Sequence, residues 1–109
     1  MEIKKLSDGS KMTVSLVGRL DAVTALELDK NLSASLGNIT DLTIDLAELE
    51  YISSAGLRTL LKLQKRMDKQ GAMKICNVRD NVREVLEMTG FANFLTIADD
   101  KKAKFSVSF

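Results

Sequence analysis

Histidine is absent from all 109 residues of this chain, which removes the commonest general base. Ser-His-Asp and Cys-His catalysis, His-ligated zinc and phosphohistidine relays go with it. No metal and no cofactor are expected. Cysteine occurs once, as Cys76, so an internal disulfide cannot form. Its place in Ala72-Met-Lys-Ile-Cys76, which reads as a strand, implies a buried and inert thiol. An excess of one charge is lacking too: 16 basic and 15 acidic residues give +1, too little for the positive field that non-specific nucleic-acid binding needs. Long apolar runs are missing as well. The N-terminal Met1-Glu-Ile-Lys-Lys-Leu6 has no apolar signal core, and no later run approaches the roughly 20 residues of a bilayer span. The expected chain is cytoplasmic, with neither nucleic acid nor membrane as partner.

No proline, internal repeat or low-complexity tract divides the chain, and 45% hydrophobic content suits one domain, 1–109, with a single core. Ile3 and Leu6 suggest a first strand, Ser7-Asp-Gly-Ser10 a turn, and the apolar positions 12, 14 and 16 of Met12-Thr-Val-Ser-Leu-Val17 a second strand, giving an antiparallel hairpin. Asp21 can cap a helix whose apolar positions Ala25, Leu28, Leu32 and Leu36 recur at helical spacing, with Gly37 as its left-handed stop. A strand at 42–46 follows, then a helix from near Ser54 to Lys69-Gln-Gly71, and a strand marked by Met73 and Ile75. Asp80 is expected to cap a helix carrying Val82, Val85 and Leu86 before Gly90. Phe94-Leu-Thr-Ile97 and Ala103–Phe109 read as further strands. Met67, Met73 and Met88 are expected in the core, and Lys62, Lys65, Arg66 and Lys69 on a solvated helix face. Because parallel strands need crossovers, a hairpin followed by two strand-helix-strand units gives an α/β fold: a mixed, largely parallel sheet of four to six strands with helices packed on it.

The most informative stretch is Asp41–Leu61. Leu42, Ile44 and Leu46 alternate at strand period, whereas Leu57, Leu60, Leu61 and Met67 fall on one helix face, and the period changes at Ser53-Ser54. The first N–H groups of such a helix lack intrahelical partners, and its dipole favours negative charge. A phosphate on a hydroxyl there would be well received. The same two serines can equally serve as an N-cap followed by the packing glycine, Gly56. Tyr51 and Ile52 are expected to pack beneath the turn.

The hairpin, the Val17-Gly-Arg-Leu-Asp-Ala22 turn and Tyr51-Ile-Ser-Ser-Ala-Gly-Leu57 together resemble the STAS family, named for sulphate transporters and anti-sigma factor antagonists, over about residues 1–98. The likeness is greatest to the small free-standing bacterial members, which bind an anti-sigma factor that is a serine kinase with an ATP site. In that family the turn usually reads Asp-Ser-Ser/Thr-Gly, and its first serine is phosphorylated. The resemblance sets Ser53 at the aspartate, Ser54 at the phosphorylated serine, Ala55 at the following Ser/Thr and Gly56 at the glycine. With a second hydroxyl adjacent, Ser53 is a rival acceptor.

The resemblance therefore implies an anti-sigma factor antagonist, switched off when its kinase partner phosphorylates Ser54 and restored by a serine phosphatase. Asp21, Ser53, Ala55, Gly56 and Arg58 are the residues expected at the partner surface, Asp21 either there or only as a cap, and the lack of a side chain at Gly56 is expected to let a docking kinase come close. The alternative is a STAS docking subunit of a lipid-transport or stress-signalling complex, without phosphorylation control. An enzyme is not expected. The segment Tyr51-Ile-Ser-Ser-Ala-Gly56 lacks the glycine two residues before the serine that a nucleophile elbow uses, and no histidine base exists.

Overall fold

Alternating apolar residues build the sheet on which everything else rests. The structure, a computed structural model, describes residues 1–98. β1 (Glu2–Asp8) and β2 (Lys11–Leu20) form the expected hairpin, α1 (Ala22–Ser35) crosses to β3 (Asp41–Ile52), and α2 (Ser54–Gln70) crosses to β4 (Ala72–Cys76). α3 (Asp80–Met88) and a single 3-10 turn (Phe91–Asn93) follow. The strand order is β1-β2-β3-β4, antiparallel for the first pair and parallel for the other two. This is the mixed, largely parallel sheet expected, with four strands among the described residues.

Register explains the core. Val14 pairs with Ile44 and Ile44 with Ile75, so one face of the sheet carries Met12, Val14, Leu16, Leu42, Ile44, Leu46, Met73 and Ile75, all buried. Ala25, Leu28, Leu32 and Leu36 of the α1 segment, and Leu57, Leu60, Leu63 and Met67 of α2, close over it in one cluster. Burying a leucine side chain of this kind contributes about 1.5–3 kcal/mol. Two register shifts between β2 and β3, after Ser15 and after Gly18, let the longer β3 reach its end level with β2: Leu20 pairs with Ile52.

Several expectations are corrected. Gly37 supplies no left-handed stop; α1 ends at Ser35 with Leu36 as its C-cap at φ of −89°, and the Leu36 carbonyl instead accepts from the Gln70 side-chain amide at 2.7 Å. Gln70 also reaches the Ile39 carbonyl at 2.6 Å, so a residue 34 positions away does what a local glycine was expected to do. Asp80 is not a cap but the first residue of α3, whose N-cap position is Arg79 without a side-chain bond. Met88 is 78% exposed, because it lies two residues past Leu86 and so off the buried Val82–Leu86 side of α3. Cys76 ends β4 on the face opposite Ile75 and is half-buried, not in the core. Phe94–Ile97 is not a strand. Phe94 is exposed, Leu95 is buried, and only Ile97 makes a parallel bridge, to Ile75. Its apolarity reflects packing against the core after the left-handed Gly90 turns the chain back. The expected strand at 103–109 lies outside the described residues.

Among the described residues one polar side chain is buried with the rest. Gln64 is 3% exposed, yet its amide donates to Asp68 Oδ1 at 2.9 Å and its carbonyl accepts from the Thr96 N–H at 3.0 Å. Satisfied at both ends, it ties the segment after α3 to α2.

Candidate functional site

Parallel neighbours end at the same edge of a sheet, so the helices that follow them begin there together. Leu20 and Ile52 are register partners, and the Ser53 N–H donates to the Leu20 carbonyl at 2.8 Å. Asp21 and Ser53 follow those strand ends, and each caps the helix that comes next. The sheet thereby brings together Asp21, Ser53, Ser54, Ala55 and Gly56, which the sequence separates by some thirty residues.

The Asp21 carboxylate accepts from the Val23 and Thr24 N–H groups, each at 3.0 Å, while the Thr24 hydroxyl accepts from the Asp21 N–H at 2.8 Å. This reciprocal box satisfies orphan donors of α1. The Thr24 backbone bond, ahead of any other cause, holds the Asp21 carboxyl below its usual value; desolvation, next in size, opposes it, and the Thr24 hydroxyl, the Val23 N–H and the Arg19 charge add to the lowering. The capping role of Asp21 is thus realised.

Ser53 and Ser54 differ in kind. Ser53 is half-buried, with extended backbone, and its hydroxyl accepts from the Gly56 N–H at 3.2 Å while its carbonyl begins the helix ladder at Leu57, 2.9 Å away. Ser54 is the first residue of α2, exposed, and its hydroxyl forms no hydrogen bond among the described residues. The hydroxyl of one serine is held in the cap; that of the other is available. Ala55 is half-buried and packs against the core.

Gly56 corrects an expectation. It is buried, and a Cβ there would meet Leu20 Cγ at 2.8 Å, Ile52 Cγ1 at 3.0 Å and the Leu20 carbonyl oxygen at 3.0 Å. The room that glycine leaves is filled from within, by the strand ends under the turn, so it does not admit a docking partner. Ile52 packs beneath the turn as expected, at 3% exposure, but Tyr51 points the other way and is 40% exposed. Successive strand residues face opposite sides, so only one of the pair can be beneath. The Arg19 guanidinium lies 4.3 Å from the Tyr51 ring centroid, a cation-π contact beside the site.

Two surface residues escaped the sequence reading. Val23 and Leu26 of α1 are 68% and 63% exposed, just past the Asp21 cap. Leu26 is one turn ahead of Asp29, which meets α2 through Lys62 at 2.8 Å, so it belongs to the side of α1 that faces α2. The available signal was an apolar residue off the 25, 28, 32, 36 stripe, where a charged one is the norm. Arg58 is exposed one turn beyond Ser54. Of the expected cationic face, Lys62 joins Asp29 and Arg66 donates to the Ser33 carbonyl at 3.4 Å, binding α1 to α2.

No group of three or more His, Cys, Asp or Glu among the described residues could hold a metal ion. A shallow depression of about 220 Å³ at the β2–β3 register shift is lined by Ser15, Leu16, Asp45, Ala47 and Glu48, none of them at the helix starts. No helix of the described residues is long and apolar enough to cross a membrane. What the helix starts offer is an exposed hydroxyl with no hydrogen bond among the described residues, on helices that also expose the apolar Val23 and Leu26 and the cationic Arg58.

Residues 2–103 match the STAS domain family. BtrV of Bordetella bronchiseptica, named as a candidate anti-sigma factor antagonist, is 34% identical over 90 residues, 81% of this chain and 78% of BtrV. Among solved structures, the anti-sigma factor antagonist SpoIIAA in its unphosphorylated form gives a TM-score of 0.76 at 18% identity, over 98% of this chain and 96% of that one. The phosphorylated form of SpoIIAA, a Bacillus cell fate determinant, gives 0.70 at 17%, over 97% and 99%. An anti-sigma factor antagonist from Mycobacterium paratuberculosis gives 0.79 at 23%, over 88% and 83%. At such identities the structural likenesses show the fold; the domain match and BtrV show the family. The domain match and BtrV make this chain, with its mixed sheet and two capped helix starts at one edge, a member of the STAS domain family, of the anti-sigma factor antagonist type.

Proposed function

We propose that this protein binds an anti-sigma factor that is itself a serine kinase, and that phosphorylation of Ser54 by that kinase releases it. The observation that carries the reading is the division of labour between the two serines: Ser53 is held in the cap while Ser54 is exposed with an unengaged hydroxyl. The protein is then a substrate and not a catalyst. In the kinase site the Ser54 oxygen forms a bond to the γ-phosphorus of ATP, the bond from that phosphorus to ADP breaks, and the hydroxyl proton passes to a base of the kinase. A serine phosphatase returns the hydroxyl with water as the acceptor of phosphate. That one relative, SpoIIAA, has been solved in phosphorylated and unphosphorylated forms of the same fold supports a modification that leaves the architecture intact.

The energetics favour a surface switch. At the first position of α2 a phosphate carries about −1.5 to −2 charges, and the helix start stabilises it by about 0.3–1 kcal/mol. The partner surface, comprising Asp21, Ser53, Ala55 and Arg58 with the apolar Val23 and Leu26, is where repulsion and desolvation act. A cost of about 3–4 kcal/mol there weakens binding by two to three orders of magnitude.

The test is phosphorylation by the co-encoded anti-sigma factor kinase with ATP, read by intact mass. Phosphate on the wild type and on Ser53→Ala, and none on Ser54→Ala, is the expected pattern. A chain that takes no phosphate, yet assembles stably with a lipid-transport or stress-signalling complex, would establish the docking-subunit reading instead.

A further inference from the structure

The nearest unengaged cation on the helix of Ser54 is Arg58. The two are the first and fifth residues of α2, one turn apart on one face, where Cβ atoms lie about 5–6 Å from each other. Both side chains are exposed. The neighbouring cations have other contacts: Arg19 lies over Tyr51, Lys62 pairs with Asp29, and Arg66 reaches the Ser33 carbonyl. Arg58 makes no hydrogen bond or ion pair with any described residue. The carboxylate of Asp21 at this edge is held by its own helix amides. An anion four residues before a cation is also the favourable order along a helix.

We infer, resting on the reading of Ser54 as the phosphorylated residue, that Arg58 grips the phosphate of phosphorylated Ser54 and is thereby withdrawn from the partner. The guanidinium fork matches phosphate oxygens two at a time, which lysine cannot do. Before modification Arg58 offers an acidic partner group an exposed cation, on the helix that packs against α1 with its exposed Val23 and Leu26. After it, that cation is engaged within α2, and the phosphate charge of about −1.5 to −2 exceeds the single positive charge it meets, so the corner changes sign. The switch has two arms: a lost ion pair and a new repulsion.

The experiment needs neither kinase nor partner. Phosphoserine is installed at position 54 during translation, and the phosphorus resonance is followed by NMR through the second ionisation of the phosphate, ordinarily near a pKa of about 6. In the wild-type background the phosphate is expected to titrate about 0.5 or more lower than in Arg58→Ala, with Arg58→Lys recovering part of the difference and Arg19→Ala matching wild type. Far-UV circular dichroism checks that the exposed substitution leaves the fold intact, and Arg58→Gln provides a second neutral variant. Equal titration with and without Arg58 overturns the inference. That result would leave Ser54 standing as a kinase target, whereas failure of any kinase to modify Ser54 would leave the measured pairing untouched.

Discussion

Replacing Gly56 with alanine separates two opposite expectations. By helix propensity alone the change stabilises, since glycine within a helix costs about 1 kcal/mol relative to alanine. The structure reverses the sign. The added methyl would sit 2.8 Å from Leu20 Cγ and 3.0 Å from both Ile52 Cγ1 and the Leu20 carbonyl oxygen, well inside ordinary van der Waals contact. Leu20 is fully buried and Ile52 is 3% exposed, so neither side chain has open space to enter. The third neighbour is backbone and already accepts the Ser53 N–H at 2.8 Å. Overpacking of this kind costs about 1–3 kcal/mol, and after the propensity gain a net loss of up to about 2 kcal/mol remains. For a domain of this size each kcal/mol lowers the melting temperature by about 4–8 °C. Urea unfolding followed by circular dichroism measures it. An alanine variant more stable than wild type, by the propensity gain of about 1 kcal/mol, would refute the close approach of α2 to the strand ends.

Four further outcomes concern the two helix starts and the buried glutamine. Ser53→Ala removes the bond to the Gly56 N–H and should lose about 0.5–2 kcal/mol, while Ser54→Asp, an anion at the first position of α2, should be as stable as wild type or up to about 1 kcal/mol more so; a melted spectrum for the latter would contradict a switch that spares the fold. Gln64→Ala removes the acceptor of the part-buried Thr96 N–H bond and should cost about 0.5–1.5 kcal/mol in chemical denaturation, with increased hydrogen exchange at Thr96 as its local mark. Because the folded state depresses the Asp21 carboxyl, its contribution is present above the ordinary value of 3.8 and is lost as pH falls through the lower folded value; Asp21→Asn, which can cap without titrating, should show a shallower acid-side loss of stability than wild type.

The resemblance carried by Tyr51–Leu57 reached the family, and periodicity reached nearly every element. Strands β2, β3 and β4 were legible because one face of each is buried, which forces alternation at 12, 14, 16 and 42, 44, 46. Helix α1 was legible from its stripe and from Asp21, whose capping depends on residues two and three positions on. Where local signals failed, a distant partner had taken over: Gln70 closed α1 in place of Gly37, and core packing of Leu95 made an apolar run look like a strand. Met88 and Cys76 failed for a simpler reason, since hydrophobicity does not state which side of an element a residue occupies.

At the site, sequence by itself determined that two hydroxyls stand where a strand becomes a helix, with no histidine to make either a nucleophile. Only the tertiary structure distinguishes the capping one from the exposed one. A cap and an exposed first residue are neighbours in the chain, and they differ in where the helix amides point and in what lies beneath the turn. Those directions are fixed by Leu20 and Ile52 ending side by side in the sheet, a register that the two strands establish across some thirty residues of intervening chain. The same packing turned Gly56 inward and left Ser54, Arg58, Val23 and Leu26 at the surface.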